Sequence, residues 1–162
     1  MKRVNSALLI GVVSLLILGV GVTESQAGFG LGVHYLNTLG DLKDSTEFDS
    51  SAFGFLASFG GGASLIRFEA DLEWLPDYAF GKDMIQPQAY AFIGDFIYGG
   101  VGIGIGHING DWQDSPFYAL RAGVNLAMFD FFTSYRFQSW DAVEDFESDD
   151  LNSLTFGAIF KF

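Results

Sequence analysis

The 162-residue chain has no cysteine, only three prolines and few basic side chains, with eight lysines and arginines against twenty aspartates and glutamates, a formal charge of −12. Without cysteine there is no disulfide framework and no Cys-based zinc site. The acidic balance excludes a protein built to neutralise a nucleic-acid backbone, so no nucleic-acid partner is expected. Long hydrophobic runs are scarce as well. The uncharged stretch from Ala7 to Val22 covers 16 residues, short of the ~20 that a spanning helix needs. Abundance lies elsewhere: 21 glycines, 18 phenylalanines, 49% hydrophobic and 17% aromatic residues. That content is too apolar for disorder and suits many short strands packed through large aromatic faces.

Lys2 and Arg3 precede the apolar run and Ser25-Gln26-Ala27 follows it, which predicts a secretory signal peptide over residues 1–27. No cysteine follows the run, so no lipidation site is expected there. The mature domain then covers residues 28–162 and, without Lys2, Arg3 and Glu24, carries a charge of −13. No other segment reaches helix-spanning length, so any crossing of a membrane is made by strands.

From Gly28 onward the dominant period is two, and it predicts eight strands. The first alternates Phe29, Leu31, Val33 and Tyr35 with Gly30, Gly32 and His34, and the second carries Phe53, Phe55, Ala57 and Phe59. In the third, Ile66, Phe68, Ala70, Leu72 and Trp74 oppose Arg67, Glu69, Asp71 and Glu73. The fourth covers about residues 86–94, where Pro87 weakens the start of the strand and neither face is clearly apolar. The fifth sets Val101, Ile103 and Ile105 against glycines 100, 102, 104 and 106. The sixth places Tyr118, Leu120, Ala122, Val124 and Leu126 against Ala119, Arg121, Gly123 and Asn125, and the seventh Phe131, Thr133, Tyr135 and Phe137 against Ser134, Arg136 and Gln138. In the eighth, Leu154, Phe156, Ala158, Phe160 and Phe162 oppose Ser153, Thr155, Gly157 and Lys161. Tight joints at 60–63, 94–96 and 127–129 alternate with long polar links at 38–49, 75–85, 107–116 and 139–150. The pattern predicts an all-β fold, an eight-stranded antiparallel up-and-down barrel, and the orientation of its apolar face decides whether it is a transmembrane β-barrel.

Period alone does not say whether the apolar face meets lipid or a core, because a soluble lipocalin-like barrel binding a hydrophobic ligand shares the period with reversed polarity. Three features favour lipid outside. Glycine faces on the first and fifth runs lie opposite each other, and long charged side chains on the third and seventh fill the other diameter. The candidate interior sets Arg67, Arg121, Arg136 and Lys161 against Glu69, Asp71 and Glu73, near balance in an acidic chain, as buried charges require. Counted from the turns, Arg121 and Arg136 come level with Glu69 and Asp71, which predicts a central ion-pair network. Third, the chain closes on an outward phenylalanine with aromatics two and six positions before it.

The signal peptide, the eight amphipathic runs and the terminal Gly157-Ala158-Ile159-Phe160-Lys161-Phe162 resemble the small OmpA/OmpX-like outer-membrane barrels of Gram-negative bacteria. The resemblance covers residues 28–162 and is one of pattern. It implies outer-membrane localisation and lipid as the surrounding partner, and recognition of Phe160 and Phe162 by the barrel assembly machinery during biogenesis.

Phe29, Tyr98, Phe131 and Phe162 below, with Tyr35 and Trp74 above, suit two interfacial girdles. Trp112 and Trp140 lie in acidic loops, where they cap the loop or offer an adhesive surface. The last loop carries Asp141, Glu144, Asp145, Glu147, Asp149 and Asp150, and the first Asp41, Asp44, Glu47 and Asp49 beside Lys43. A solvated acidic surface is the simplest reading, with divalent cations or surface ligands as the sharper one. The segment 145–156 lacks the central glycine and terminal glutamate of an EF-hand loop. His34 and His107 are the only histidines, and neither is followed two residues on by the serine of barrel-type lipid A deacylases. No enzyme, cofactor or resident metal is expected. The functional expectation is a monomeric barrel with a structural or surface-interaction role through acidic external loops. A small passive channel and the soluble ligand-binding barrel are the alternatives.

Overall fold

Alternation places every second side chain on one face of a strand, and a sheet of such strands can hide one face by closing on itself. The computed structural model describes residues 28–39, 49–63, 65–138 and 152–162. Its strands are β1 (Gly28–Leu39), β2 (Ser51–Ala63), β3 (Ile66–Ala79), β4 (Lys82–Gly94), β5 (Ile97–Gly104), β6 (His107–Ile108), β7 (Asp111–Trp112), β8 (Phe117–Leu126), β9 (Phe129–Phe137) and β10 (Asn152–Lys161). Eight of them close a ring in the order β1-β2-β3-β4-β5-β8-β9-β10, and β6 and β7 form a short hairpin on the edge of β4. All pairings are antiparallel, including β1 with β10, which joins the first strand to the last. The fold is a closed eight-stranded antiparallel barrel.

The polarity of the wall is the reverse of a soluble barrel's. Outward positions on each of the eight ring strands carry large exposed apolar side chains, among them Leu31, Phe55, Phe68, Val101, Leu120 and Phe156. Inward positions bury His34, Glu69, Asp71, Glu73, Arg121, Asp130 and Arg136. The fourth strand, ambiguous by composition, turns Gln86, Gln88, Tyr90 and Phe92 inward and leaves Pro87 on the outer face.

Several local expectations are corrected. Residues 75–85 are not a long polar link: β3 and β4 continue to a two-residue turn at Phe80-Gly81, both with positive φ. The cause is apolar content, since Leu75, Tyr78, Ala79 and Met84 bury together with Leu36 in a cluster at the outer end of the barrel. Residues 107–116 are likewise not all loop. An Asn109-Gly110 pair, with φ of 53° and 97°, turns the β6–β7 hairpin as a type I′ turn requires. Ile105, expected outward, is buried because regular pairing with β8 stops at Gly104↔Phe117. Phe137 is also buried, against the rings of Tyr118 and Tyr135. The joint expected at 60–63 is part of β2, so the chain turns only after Ala63.

The glycines of β5 do not leave open space. Tyr90 lies over Gly102, Phe92 over Gly100 and Phe117 over Gly104, so rings from neighbouring strands occupy the volume that side chains there would take.

Val101 stands outward in mid-strand, 57% exposed, with lipid as the medium that this polarity calls for. Val101→Arg is expected to destabilise the barrel in phospholipid vesicles by about 2–4 kcal/mol, read from urea unfolding. A change under ~0.5 kcal/mol, the usual surface value, contradicts a lipid-facing position.

Candidate functional site

The interior is organised around Glu73. Its two carboxylate oxygens accept from Arg136 Nη1 at 2.7 Å and Nη2 at 3.0 Å and from Gln88 Nε2 at 2.5 Å, and His34 Nε2 lies 2.6 Å away. A bidentate guanidinium on a carboxylate is the strongest neutralising geometry available to a buried anion. Gln86 Oε1 accepts a further bond from Arg136 at 3.1 Å, and Tyr90 Oη donates to Gln88 Oε1 at 2.7 Å. Gly54 is part of this assembly, because a Cβ there would collide with the His34 imidazole and sit 2.8 Å from Leu75 Cδ2.

Below it, Arg121 Nη1 donates to Asp71 Oδ2 at 2.8 Å and to Glu69 Oε1 at 3.2 Å. Its Nε and Nη2 have no hydrogen-bond acceptor. The guanidinium carbon lies 3.8 Å from the Tyr90 ring centroid and 4.5 Å from that of Phe132, so π faces replace the missing acceptors. This sandwich spans the barrel from β4 to β9 and fills its middle.

The lowest layer centres on Asp130. Tyr98 Oη donates to its Oδ1 and Lys161 Nζ to its Oδ2, both at 2.6 Å, with Arg67 Nη2 at 3.6 Å. Arg67 and Lys161 also approach Glu69 Oε2, each at 3.7 Å.

The seven charged residues singled out in the sequence are thus brought together, with one change of partner: Arg136 binds Glu73 and not Glu69 or Asp71. Asp130 was missed and makes the balance four cations to four anions. It shares the parity of Arg136, Ser134 and Phe132 but precedes Phe131, where the alternation becomes evident, whereas pairing begins at Phe129. Tyr98 is a correction. Expected on the lower girdle, it is 3% exposed and points inside, because it shares the parity of Gly100, Gly102 and Gly104. The other girdle residues, Phe29, Tyr35, Trp74, Phe131 and Phe162, stand outward and exposed, as does Phe160. Ring contacts link them: Phe29–Phe162 at 5.2 Å, Phe129–Phe160 at 5.4 Å and Phe55–Trp74 at 5.4 Å.

Tyr78, Gln86, Gln113 and Phe117 line a small outer vestibule with Arg136 at its floor. Among the described residues no three His, Asp or Glu side chains gather in a metal-binding group. The acidic residues Asp41, Asp44, Glu47, Asp141, Glu144, Asp145, Glu147, Asp149 and Asp150 lie outside the described residues, as do Lys43, Trp140 and residues 1–27.

No family model and no curated protein matches the chain. Solved structures do. Neisserial surface protein A (NspA) superposes with a TM-score of 0.57 at 15% identity, covering 84% of this chain and 97% of that one. A de novo designed transmembrane β-barrel gives 0.53 at 10% identity over 83% and 95%. Ail, the attachment invasion locus protein of Yersinia pestis, solved with the heparin analogue sucrose octasulfate, gives 0.43 at 16% identity over 86% and 100%. At these identities the likeness is one of fold, and NspA and the designed barrel carry it: the architecture is that of small membrane barrels.

Arg136→Ala would leave Glu73 with His34 and Gln88 alone. A loss of about 3–5 kcal/mol is expected, against ~0.5 kcal/mol or less for Asp114→Ala at an exposed position, both measured by equilibrium unfolding. Equal small losses would mean that Arg136 faces water.

Proposed function

We propose that the chain is an integral outer-membrane barrel of a Gram-negative envelope, monomeric and non-enzymatic, with a structural or surface-interaction role carried by its acidic external loops. The observation that supports this most strongly is the inverted polarity of a closed barrel. Exposed Leu31, Phe55, Phe68, Val101, Leu120 and Phe156 surround buried, paired charges. A chain in water would leave a continuous apolar belt exposed, far beyond the patch a soluble monomer tolerates. In lipid the same belt is matched on all sides, and closure leaves none of the eight ring strands at an edge. This argues against the soluble ligand-binding barrel, whose interior would have to be apolar.

A passive channel is the second reading, and the packing disfavours it. Arg121 lies between the rings of Tyr90 and Phe132 while bonded to Asp71 and Glu69, so the middle of the lumen holds side chains instead of a water column. Eight strands enclose little more than this in any case. Phe160 and Phe162, the second held to Phe29 by backbone bonds of 2.9 and 3.2 Å, would present the terminal aromatics to the assembly machinery. Divalent cations or surface ligands would meet the acidic loops.

Expressed with its leader in a Gram-negative host, the protein should remain in the outer-membrane pellet after alkaline carbonate extraction. It should also migrate faster on a gel when unboiled. Release into the carbonate supernatant would overturn the membrane reading. In planar bilayers the purified protein should be electrically silent, and steady unitary currents would favour the channel.

A further inference from the structure

The β6–β7 hairpin has no role in the reading above, yet it is anchored to the barrel and presents Trp112 at 53% exposure. Ile108 packs on the outer-end cluster of Leu36, Leu75, Tyr78 and Met84, and β6 pairs with β4 through Met84↔Ile108 and Ile85↔His107. Gln113 N donates to Gly106 O at 2.8 Å below the tip. The hairpin is a fixed extension of the barrel wall.

Directly opposed residues of an antiparallel ladder share a face. Phe55↔Trp74, Trp74↔Ile85, Ile85↔His107 and His107↔Trp112 are all such pairs. The outer belt therefore continues without a break from the barrel onto the hairpin, where the His107 and Trp112 rings meet at 4.8 Å. The same row starts lower, since Phe131↔Ala158, Ala158↔Val33 and Val33↔Phe55 are also opposed. It runs from beside the turn at Ala127-Met128 to beside the outer tip at Asn109-Gly110, so it climbs the wall. With strands ~4.8 Å apart and tilted about 40°, three steps raise Trp112 about 9 Å above Trp74, roughly the thickness of a headgroup layer.

We propose that the outward face of the β6–β7 hairpin, His107 and Trp112, is a lipid-headgroup contact: a rigid fin lying in the headgroup layer above the aromatic belt, and not a receptor for a soluble partner. This rests on the membrane reading. The continuity of the row with the lipid-facing wall identifies the occupant, and an indole with one polar edge is suited to that layer.

The chain has three tryptophans, which makes the test spectroscopic. One variant keeps only Trp112 (Trp74→Phe, Trp140→Phe) and another keeps only Trp74 (Trp112→Phe, Trp140→Phe). Both are refolded into phosphatidylcholine vesicles, and folding is checked by heat-modifiable mobility. Trp74 emission should fall when the acyl chains are brominated. Trp112 emission should fall by about half with a nitroxide on the choline headgroup, and respond little to chain bromination. Aqueous acrylamide quenching Trp112 fully, with no headgroup-nitroxide effect while Trp74 still responds to bromine, overturns the fin alone. Loss of the Trp74 response overturns the membrane reading beneath it.

Discussion

Charge placed inside a narrow cylinder surrounded by hydrocarbon has nowhere to go but to another charge. An unpaired carboxylate or guanidinium there costs several kcal/mol after relaxation, so a barrel of this kind can carry ionised residues only as a neutral set. Arg67, Arg121, Arg136 and Lys161 meet Glu69, Asp71, Glu73 and Asp130 in contacts of 2.6–3.7 Å. They come from β3, β8, β9 and β10, strands that lie on different sides of the ring. Pairing across the ring therefore ties the wall together as the ladder hydrogen bonds do around it. The acidic excess of the chain falls outside this set, and among the described residues Asp77, Asp83, Asp95, Asp111 and Asp114 are all exposed.

Neutrality alone would leave voids, and the aromatic content removes them. Tyr90, Phe92, Phe117 and Phe132 lie over glycine faces or over guanidinium planes. Glycine on β5 and tyrosine on β4 are thus a single packing unit. The same economy of shape appears at Gly54, where the absent side chain is replaced by the His34 imidazole on its way to Glu73. A lumen packed in this way holds side chains through its middle, with Arg121 between the rings of Tyr90 and Phe132.

Much of this was legible because a barrel wall obeys one rule, alternation, on every strand. The third run, with Phe68, Ala70 and Leu72 against Glu69, Asp71 and Glu73, announced both its strand and its two faces. Errors arose where another cue displaced parity. Tyr98 lies at girdle height near a turn, yet it alternates with the inward glycines that follow it, and Asp130 precedes Phe131, where the alternation first becomes evident, although pairing begins at Phe129. Strand ends were legible only in part. Leu75, Tyr78 and Met84 sit among Asp77, Lys82 and Asp83, and their burial depends on Leu36 from a distant strand, which no local window contains. The partner of each ion was not legible either: that Arg136 takes Glu73 depends on the registers of all the strands that lie between β3 and β9 around the ring.

Because the chain lacks cysteine, the orientation of the wall can be read directly with single-cysteine nitroxide labels at Leu72, Val101 and Phe156 in reconstituted protein. The account predicts that relaxation by oxygen, which concentrates in hydrocarbon, far exceeds relaxation by a water-soluble nickel chelate at all three. Nickel dominating at those positions would mean that the apolar wall faces water, and would contradict it.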